Sequence, residues 1–309
     1  MKDKVIYCIK SALPSTVRTV RWLLSLMIPI SLGVALLQHW GVIAWIAGYL
    51  NPLFLRLGLP GESAIIFISG AAAGTYAGVA AMMSIQLTLR QATILGLMIA
   101  LCHALPMECS VNRRTGSSFL RMGAIRILMA FVCAFYLNIV LPRMPQPYIY
   151  MGASADSSLL QVLQTWVLSQ VKMAAMVFLI IYSLMVLQRW LEVNGWLRPI
   201  SRFLSPMMRL FGLPRSAAYM WLVGNVLGIS YGSAVMLDMM DKGLVSREEA
   251  NDVNYHLIMN HSLLEDTIVF AITGISTFWI ISTRVLFAFV LVWMRRFAIL
   301  TLQKLHFTA

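Results

Sequence analysis

The chain has 309 residues, of which 60% are hydrophobic and only 12% are charged, and its mean hydropathy is +0.78. Soluble domains carry about 25% charged residues, so this composition excludes an ordinary soluble globular protein. The net charge of +12 would suggest nucleic-acid binding in a soluble protein. Here the basic residues flank apolar segments, as cytoplasmic loops of membrane proteins do, and no nucleic-acid partner is expected. The G-x-x-x-x-G-K-[ST] and G-x-G-x-x-G patterns are absent, which argues against nucleotide hydrolysis by this chain.

Apolar segments follow one another along the chain and predict an all-α membrane protein. Two stretches between them, 40–60 and 190–214, contain Trp, and the second also contains Arg, which indicates amphipathic helices lying in the membrane interface. The basic N-terminus lacks the cleavage pattern of a signal peptide, so the first segment is expected to be an uncleaved span. The apolar segments cover about 19–38, 61–86, 119–141, 160–188, 216–237 and 279–303, and two weaker ones, which contain His and acids, cover about 88–112 and 248–272.

The second half of the chain resembles the first, which indicates an internal duplication. With a shift of 154 residues, 58–82 aligns with 212–236, and the glycines of a G-x-x-x-G-x-x-x-G pattern coincide. With a shift of 158 residues, the segment HALPME at 103–108 aligns with HSLLED at 261–266. A histidine followed by an acid at the same spacing is much less expected by chance than shared glycines, so we predict a true repeat.

The distribution of Lys and Arg predicts that the two halves are inverted. If 61–86 and 216–237 both crossed the membrane, the arginines of 189–215 would lie outside, against the positive-inside rule. If both are re-entrant hairpins, each half has three spans, both termini are cytoplasmic, and outside the spans only Arg56, Arg90 and Arg143 face the other side. Closely spaced glycines would let two short helical arms pack in lipid. A plain glycine-rich span packed against its neighbours is the alternative.

Ionisable residues inside apolar segments mark the predicted site, because charges within a membrane are costly and usually functional. Pro106 lies between His103 and Glu108, so the helix is expected to break there. In the second copy, His261 and Glu265 are predicted to lie on one helix face as an i,i+4 pair. The alternative is that these groups only join the two halves. The predicted substrate-binding residues are Thr75, Tyr76, His103, Glu108, Asn225, Ser230, Tyr231, Asn260, His261, Glu265 and Asp266.

Other chemistries are less well supported by the sequence. His, carboxylates and Cys102 or Cys109 could hold a divalent transition metal, but H-E-x-x-H and dense Cys/His spacing are absent, so no metal site and no cofactor are predicted. An enzyme would need a nucleophile beside a base, and no catalytic residues are predicted. Arg126, Lys172 and Arg284 fall within spans and are expected to pair with acids or to snorkel.

Three segments resemble the nucleoside-recognition or Gate domain proteins: GLPGESAIIFISGAAAGTYAGVAAM, LCHALPMECSVNRRTGSS and NHSLLEDTIVFAITG. That family includes the paired membrane segments of ferrous iron transport protein B and the spore maturation proteins A and B, and it is more distantly similar to concentrative nucleoside transporters. The resemblance implies two Gate repeats, at 16–142 and 160–305. If the nucleoside transporter plan applies, the ligand would lie between the hairpin tips near Thr75 and Ser230 and the broken helices. The GTPase domain of the iron transporter has no counterpart here.

We therefore expect an all-α integral membrane protein with six transmembrane helices, two re-entrant hairpins and two interfacial helices, arranged as two inverted repeats. It is expected in the cytoplasmic (inner) membrane with both termini cytoplasmic. The expected function is secondary transport of a small polar solute, nucleoside-like or an ion, by alternating access and coupled to protons or sodium. The alternatives are a non-transporting scaffold or subunit that acts with a partner protein, and a permease for a divalent metal such as ferrous iron. The sequence also allows a homo-oligomer.

Overall fold

A computed structural model describes residues 2–151 and 158–307. Within these ranges the regular structure is helical, apart from one isolated β-bridge between Thr88 and Pro147. A short 3-10 turn covers Arg215–Ala217. The α-helices are α1 (Lys2–His39), α2 (Val42–Arg56), α3 (Ser63–Ala73), α4 (Thr75–Met83), α5 (Leu89–Leu101), α6 (Leu105–Arg114), α7 (Phe119–Val140), α8 (Leu159–Val193), α9 (Leu197–Leu210), α10 (Ala218–Val226), α11 (Ile229–Asp241), α12 (Arg247–Asn260), α13 (Leu263–Ile272) and α14 (Thr277–Phe307).

Five helical segments of the described residues are long and apolar enough to cross a membrane, and the all-α membrane class is thereby confirmed. The sequence predicts six spans. The segment 248–272 does not have the hydropathy of a span, because α12 and the first turn of α13 carry several polar and charged side chains. The five segments are Lys4–His39, Leu89–Arg114, Phe119–Val140, Leu159–Val193 and Thr277–Thr301, of which the second includes the break between α5 and α6.

The chain divides into two compact units, and each unit takes segments from both halves of the sequence. Unit 1 comprises Met1–Leu105, Ala130–Val193 and Glu265–Ile280. Unit 2 comprises Pro106–Met129, Asn194–Leu264 and Ile281–Ala309. The repeats at 16–142 and 160–305 and their inverted orientation stay predictions.

Each unit contains a helical hairpin that turns at a glycine. In unit 1 the chain turns between α3 and α4 at Gly74, which has a φ of 108°. In unit 2 it turns between α10 and α11 at Gly228, which has a φ of 89°. Side chains with a Cβ rarely adopt these dihedral angles, so the turn requires glycine at both positions.

The glycines on either side of each turn let the two arms touch. A Cβ placed on Gly78 would lie 3.1 Å from the Cα of Gly70. In the second hairpin, a Cβ placed on Gly232 would lie 2.8 Å from the Cα of Gly224. The G-x-x-x-G-x-x-x-G pattern therefore forms a tight hairpin in both copies, while the re-entrant position in a membrane stays a prediction.

A helix break follows each hairpin, between α5 and α6 and between α12 and α13. Ala104, with a φ of 45°, and Ser262, with a φ of 50°, are the only non-glycine residues with positive φ in the described ranges. This conformation costs roughly 1–2 kcal/mol per residue. The backbone N–H of Ala104 donates to Gly70 O and that of Ser262 to Gly224 O, both at 3.1 Å. In each unit the hairpin thus holds the break through the same contact, at positions related by the sequence repeat.

The two predicted interfacial helices correspond to α2 and α9. On α9, Leu197 and Met208 are buried, while Phe203 and Leu210 are exposed. The arginines of α9 lie on a different side from the exposed apolar residues, because Arg202 is separated from Phe203 by about 100° around the helix and from Leu210 by about 80°. Such a helix suits the boundary between lipid and water, and its membrane position stays a prediction.

Candidate functional site

A buried charged cluster in unit 2 is centred on Glu108, in the first turn of α6. Its Oε2 atom accepts a hydrogen bond from Arg126 Nη1 of α7 at 2.5 Å, and its Oε1 atom lies 3.0 Å from His261 Nε2. Glu108 is 4% exposed, and Arg126 and His261 are fully buried. The expected pairing of Arg126 with an acid is therefore confirmed. Because water cannot solvate these charges, their stability depends on contacts inside the cluster.

The contact between His261 Nε2 and Glu108 Oε1 requires a hydrogen between the two atoms. His261 Nδ1 lies 2.7 Å from Leu257 O, and a carbonyl oxygen only accepts, so Nδ1 carries a hydrogen. A hydrogen bond between Nε2 and the carboxylate then needs one more hydrogen, either on Nε2 of a charged imidazolium or on the carboxyl of Glu108. The cluster thus holds one proton between two groups, each of which is chemically able to carry it.

A second fully buried arginine of unit 2, Arg284 on α14, holds the end of α12. Its Nε donates to Met259 O at 2.9 Å and its Nη2 donates to His261 O at 2.5 Å. Carbonyls at the C-terminal end of a helix lack intrahelical partners and carry partial negative charge. The guanidinium therefore fixes the backbone that presents His261.

Polar side chains join α6 and the residues 115–117 that follow it to α12, which runs in the opposite direction, and these contacts form a polar seam. Asn254 Nδ2 donates to Thr115 Oγ1 at 2.8 Å and to Ser117 Oγ at 2.9 Å. Asn112 lies between these contacts and Glu108, on the same buried side of α6. Neither its Oδ1 nor its Nδ2 has a hydrogen-bond partner among the described residues. An unpaired buried polar group costs roughly 1–3 kcal/mol of folding free energy, so a ligand or water that bonds to this amide would recover that cost.

In unit 1, the tip of the first hairpin contacts the acids of α13. Thr75 Oγ1 donates to Asp266 Oδ1 at 3.1 Å, and Tyr76 OH donates to Glu265 Oε1 at 3.0 Å. Thr75, Tyr76 and Asp266 are buried. Both acids occupy the first turn of α13, where the helix dipole favours negative charge. Four of the predicted site residues are thus brought together, each acid by a hydroxyl donor.

The remaining predicted residues are distributed over both units. His103, in unit 1, is buried, and its Nδ1 lies 3.1 Å from Ile99 O. In unit 2, Asn225 Nδ2 donates to Trp221 O at 2.9 Å, and Asn260 Oδ1 lies 3.0 Å from His256 Nδ1.

One expectation about the second copy is not met. His261 and Glu265 do not share a helix face, because α12 ends at Asn260 and the chain turns at Ser262 before α13 begins. Tyr231 is 58% exposed on α11, and its role as a site residue stays a prediction. Ser230 is the second residue of the same helix, but its side chain lies outside the described part of the structure.

Comparison with known proteins identifies the family. The model of the Gate family, described as nucleoside recognition, matches residues 20–155. The chain is also 30% identical over 273 residues to the uncharacterized membrane protein YvoD of Bacillus subtilis (strain 168), which covers 85% of this chain and 86% of that protein. The chain belongs to the Gate family of membrane proteins. No solved structure matches it.

The Gate match includes the first hairpin, Glu108 and Arg126, whereas several polar groups of unit 2 lie beyond it. Asn112 and His256 were missed by the sequence analysis. Asn112 follows Glu108 by four residues, and this helical spacing could have indicated it. His256 precedes Asn260 by the same spacing, and its Nδ1 accepts a hydrogen bond from Trp221 Nε1 at 3.0 Å.

One further motif of the sequence has no support in this fold. The segment GISYG at 228–232 matches the G-x-S-x-G pattern of hydrolase nucleophiles. That motif depends on a sharp turn from a strand into a helix. Here the segment joins α10 to α11, so its serine lacks the structural context of such a nucleophile.

Proposed function

We propose that this Gate protein is a secondary transporter of a small polar solute, located in the cytoplasmic membrane with both termini cytoplasmic, and that it is not an enzyme. The observation that carries the proposal is the presence, on one helix of unit 2, of Glu108, whose Oε1 lies 3.0 Å from His261 Nε2, and of Asn112, whose amide has no hydrogen-bond partner among the described residues. Broken helices with polar groups at mid-length are the usual construction of transporter sites.

The substrate class follows from the groups that are available. The amide of Asn112 offers one donor group and one acceptor, which suits an uncharged solute with hydroxyl or amide functions. In unit 1, Thr75 and Tyr76 donate to carboxylates, and a hydroxyl of a solute could replace either donor. Together with the nucleoside-recognition description of the family, this makes nucleosides the first solutes to test.

Proton coupling is favoured over sodium coupling by the charges around Glu108. Its carboxylate already accepts from Arg126, and a sodium ion would have to bind beside that guanidinium. A proton can move between His261 and Glu108 without adding a second cation next to Arg126. Transport is therefore expected to respond to an imposed pH gradient and not to a sodium gradient.

The experiment compares two asparagines of the same seam. The full chain is reconstituted into liposomes, and uptake of radiolabelled uridine and adenosine is measured with an imposed pH gradient. Asn112→Leu should abolish uptake while leaving the protein as stable as the wild type or more stable, because it removes an unpaired buried amide. Asn254→Leu is the matched control and should lower stability, because it breaks two hydrogen bonds.

Two results would contradict the proposal. If Asn112→Leu lowers stability as much as Asn254→Leu and uptake persists, the amide of Asn112 has a structural role. If no nucleoside is taken up and neither nucleosides nor small organic ions raise the thermal stability of the wild type, the alternative of a non-transporting membrane subunit is favoured. Simultaneous His103→Ala and His261→Ala should also remove the response to pH, and unchanged uptake in that variant would refute the coupling.

A further inference from the structure

A cavity of about 440 Å³ lies in unit 1, where α1 ends and α8 begins. Its wall includes Gln38 and His39 from the end of α1, Glu62 before the first hairpin, Gln86 after it, and Trp166 of α8. None of these residues belongs to the clusters around Glu108 or Asp266. The volume falls within the range of small-molecule sites, which is about 300–1,000 Å³.

The described lining of the cavity contains a carboxyl group and no Lys or Arg, although the whole chain has a net charge of +12. Glu62 is the only acid among its described lining residues, and no Lys or Arg lines it. Glu62 occupies the N-cap position of α3, but its side chain makes no capping hydrogen bond. It is half-buried and forms no ion pair within the described ranges. Its carboxylate is therefore available to a ligand.

The serine hydroxyls of the wall act as acceptors. Ser84 Oγ donates its hydrogen to Ala80 O at 3.0 Å, and Ser169 Oγ donates to Trp166 O at 2.7 Å. A hydroxyl that has donated its only hydrogen can still accept through its lone pairs. The two serines and Glu62 together present acceptors, which favours a ligand that carries hydrogen-bond donors or positive charge.

An aromatic side chain completes the cavity. Trp166 Nε1 donates to Ser31 Oγ at 3.1 Å, which fixes the orientation of the indole ring and uses its only donor. Aromatic faces attract ammonium groups by roughly 0.5–2 kcal/mol, depending on how far the cation is desolvated. A carboxylate, neutral acceptors and an indole ring are the groups that recognise an organic cation.

We propose that this cavity binds a small organic ammonium compound. Glu62 balances its charge, Ser84 and Ser169 accept from its N–H or hydroxyl groups, and Trp166 contacts the cationic group. A divalent metal ion is less suited to the site, because Glu62 and His39 are the only side chains of the lining that are typical metal ligands. The inference goes beyond the proposed transport function and uses none of the residues on which that function depends.

The test is binding of choline to the purified full chain in detergent, measured by isothermal titration calorimetry in a buffer free of amines. The neutral isostere 3,3-dimethylbutan-1-ol has the shape of choline without its charge and should bind at least tenfold more weakly. Glu62→Gln should weaken choline binding at least tenfold and remove the discrimination between the two probes. The matched control is Glu192→Gln, whose carboxylate pairs with Arg189 outside the cavity and whose loss should leave the affinity unchanged.

Each other outcome would overturn the assignment. Equal affinities for choline and its isostere, an unchanged affinity in Glu62→Gln, or no heat of binding with choline, ethanolamine and tetramethylammonium would each exclude an ammonium site. Binding of Mn²⁺ that displaces choline and is lost in His39→Ala would identify a metal site instead. Because Asn112→Leu leaves this cavity intact, choline binding by that variant separates a failure of this inference from a failure of the transport proposal.

Discussion

Removing one member of the buried Glu108–Arg126 pair should have very different effects depending on which member is removed. Glu108→Gln keeps the shape and one acceptor but leaves the guanidinium of Arg126 fully buried without its charged partner. A guanidinium cannot lose its proton in a protein. Arg126→Met leaves a carboxylate that can take up a proton and that still contacts His261.

The magnitudes follow from this asymmetry. An uncompensated buried charge costs about 3–5 kcal/mol of folding free energy, which is the loss expected for Glu108→Gln. The loss of a hydrogen bond to a group that can neutralise itself is closer to about 1–3 kcal/mol, as expected for Arg126→Met. When both charges of the pair are removed together, no unpaired guanidinium remains at position 126, and the double variant should be more stable than Glu108→Gln alone by about 2 kcal/mol or more.

Reversible unfolding of the full chain in mixed micelles gives the three free energies of this double-mutant cycle. The control is Asp238→Asn, which breaks the 2.6 Å pair with Lys242 on the surface of α11, where both side chains are 60% exposed. That change should cost no more than about 0.5 kcal/mol, because water screens exposed pairs. If the two single changes prove additive, or if Arg126→Met is the more damaging, the reasoning from an unneutralisable buried guanidinium is refuted.

Two further predictions concern the backbone. Gly232→Ala should lower thermal stability, because its Cβ would lie 2.8 Å from the Cα of Gly224 and overpacking costs about 1–3 kcal/mol. The control is Gly33→Ala, which has nothing within 4 Å of the new Cβ and should raise the stability by up to about 1 kcal/mol. Equal effects of the two changes would contradict the tight hairpin. Thr88 and Ser246 begin capping boxes at the starts of α5 and α12, so replacing either by Ala should cost about 0.5–2 kcal/mol and speed amide exchange in the first turn of that helix. Unchanged exchange would show that the caps do not hold these termini.

The features that the sequence predicted well depend on local chemistry. Glycine spacing predicted both hairpins, since only glycine allows the turn and the close approach of the arms. Pro106 predicted the break before α6. The corresponding break at Ser262 has no proline nearby, so the regular spacing of His261 and Glu265 suggested a continuous helix where the chain turns.

The contacts that build the clusters could not be predicted from one sequence, because their partners are far apart along the chain. Glu108 reaches His261 across 153 positions, and Thr75 reaches Asp266 across 191. The sequence repeat did not predict the polar seam between α6 and α12 either. Its shift places Asn254 opposite Gly96 of the first copy, so the two copies have diverged where α6 and α12 meet.

The hydrogen bonds of Arg284 have a consequence for the genetics of this region. They end on the backbone carbonyls of Met259 and His261, and every amino acid has such a carbonyl. A change of side chain at either position, other than to proline, therefore leaves these acceptors in place, and the end of α12 should keep its course in variants such as His261→Ala or His261→Gln. Phenotypes of such small or similarly sized His261 variants will therefore report on the loss of the imidazole and not on a displaced helix end.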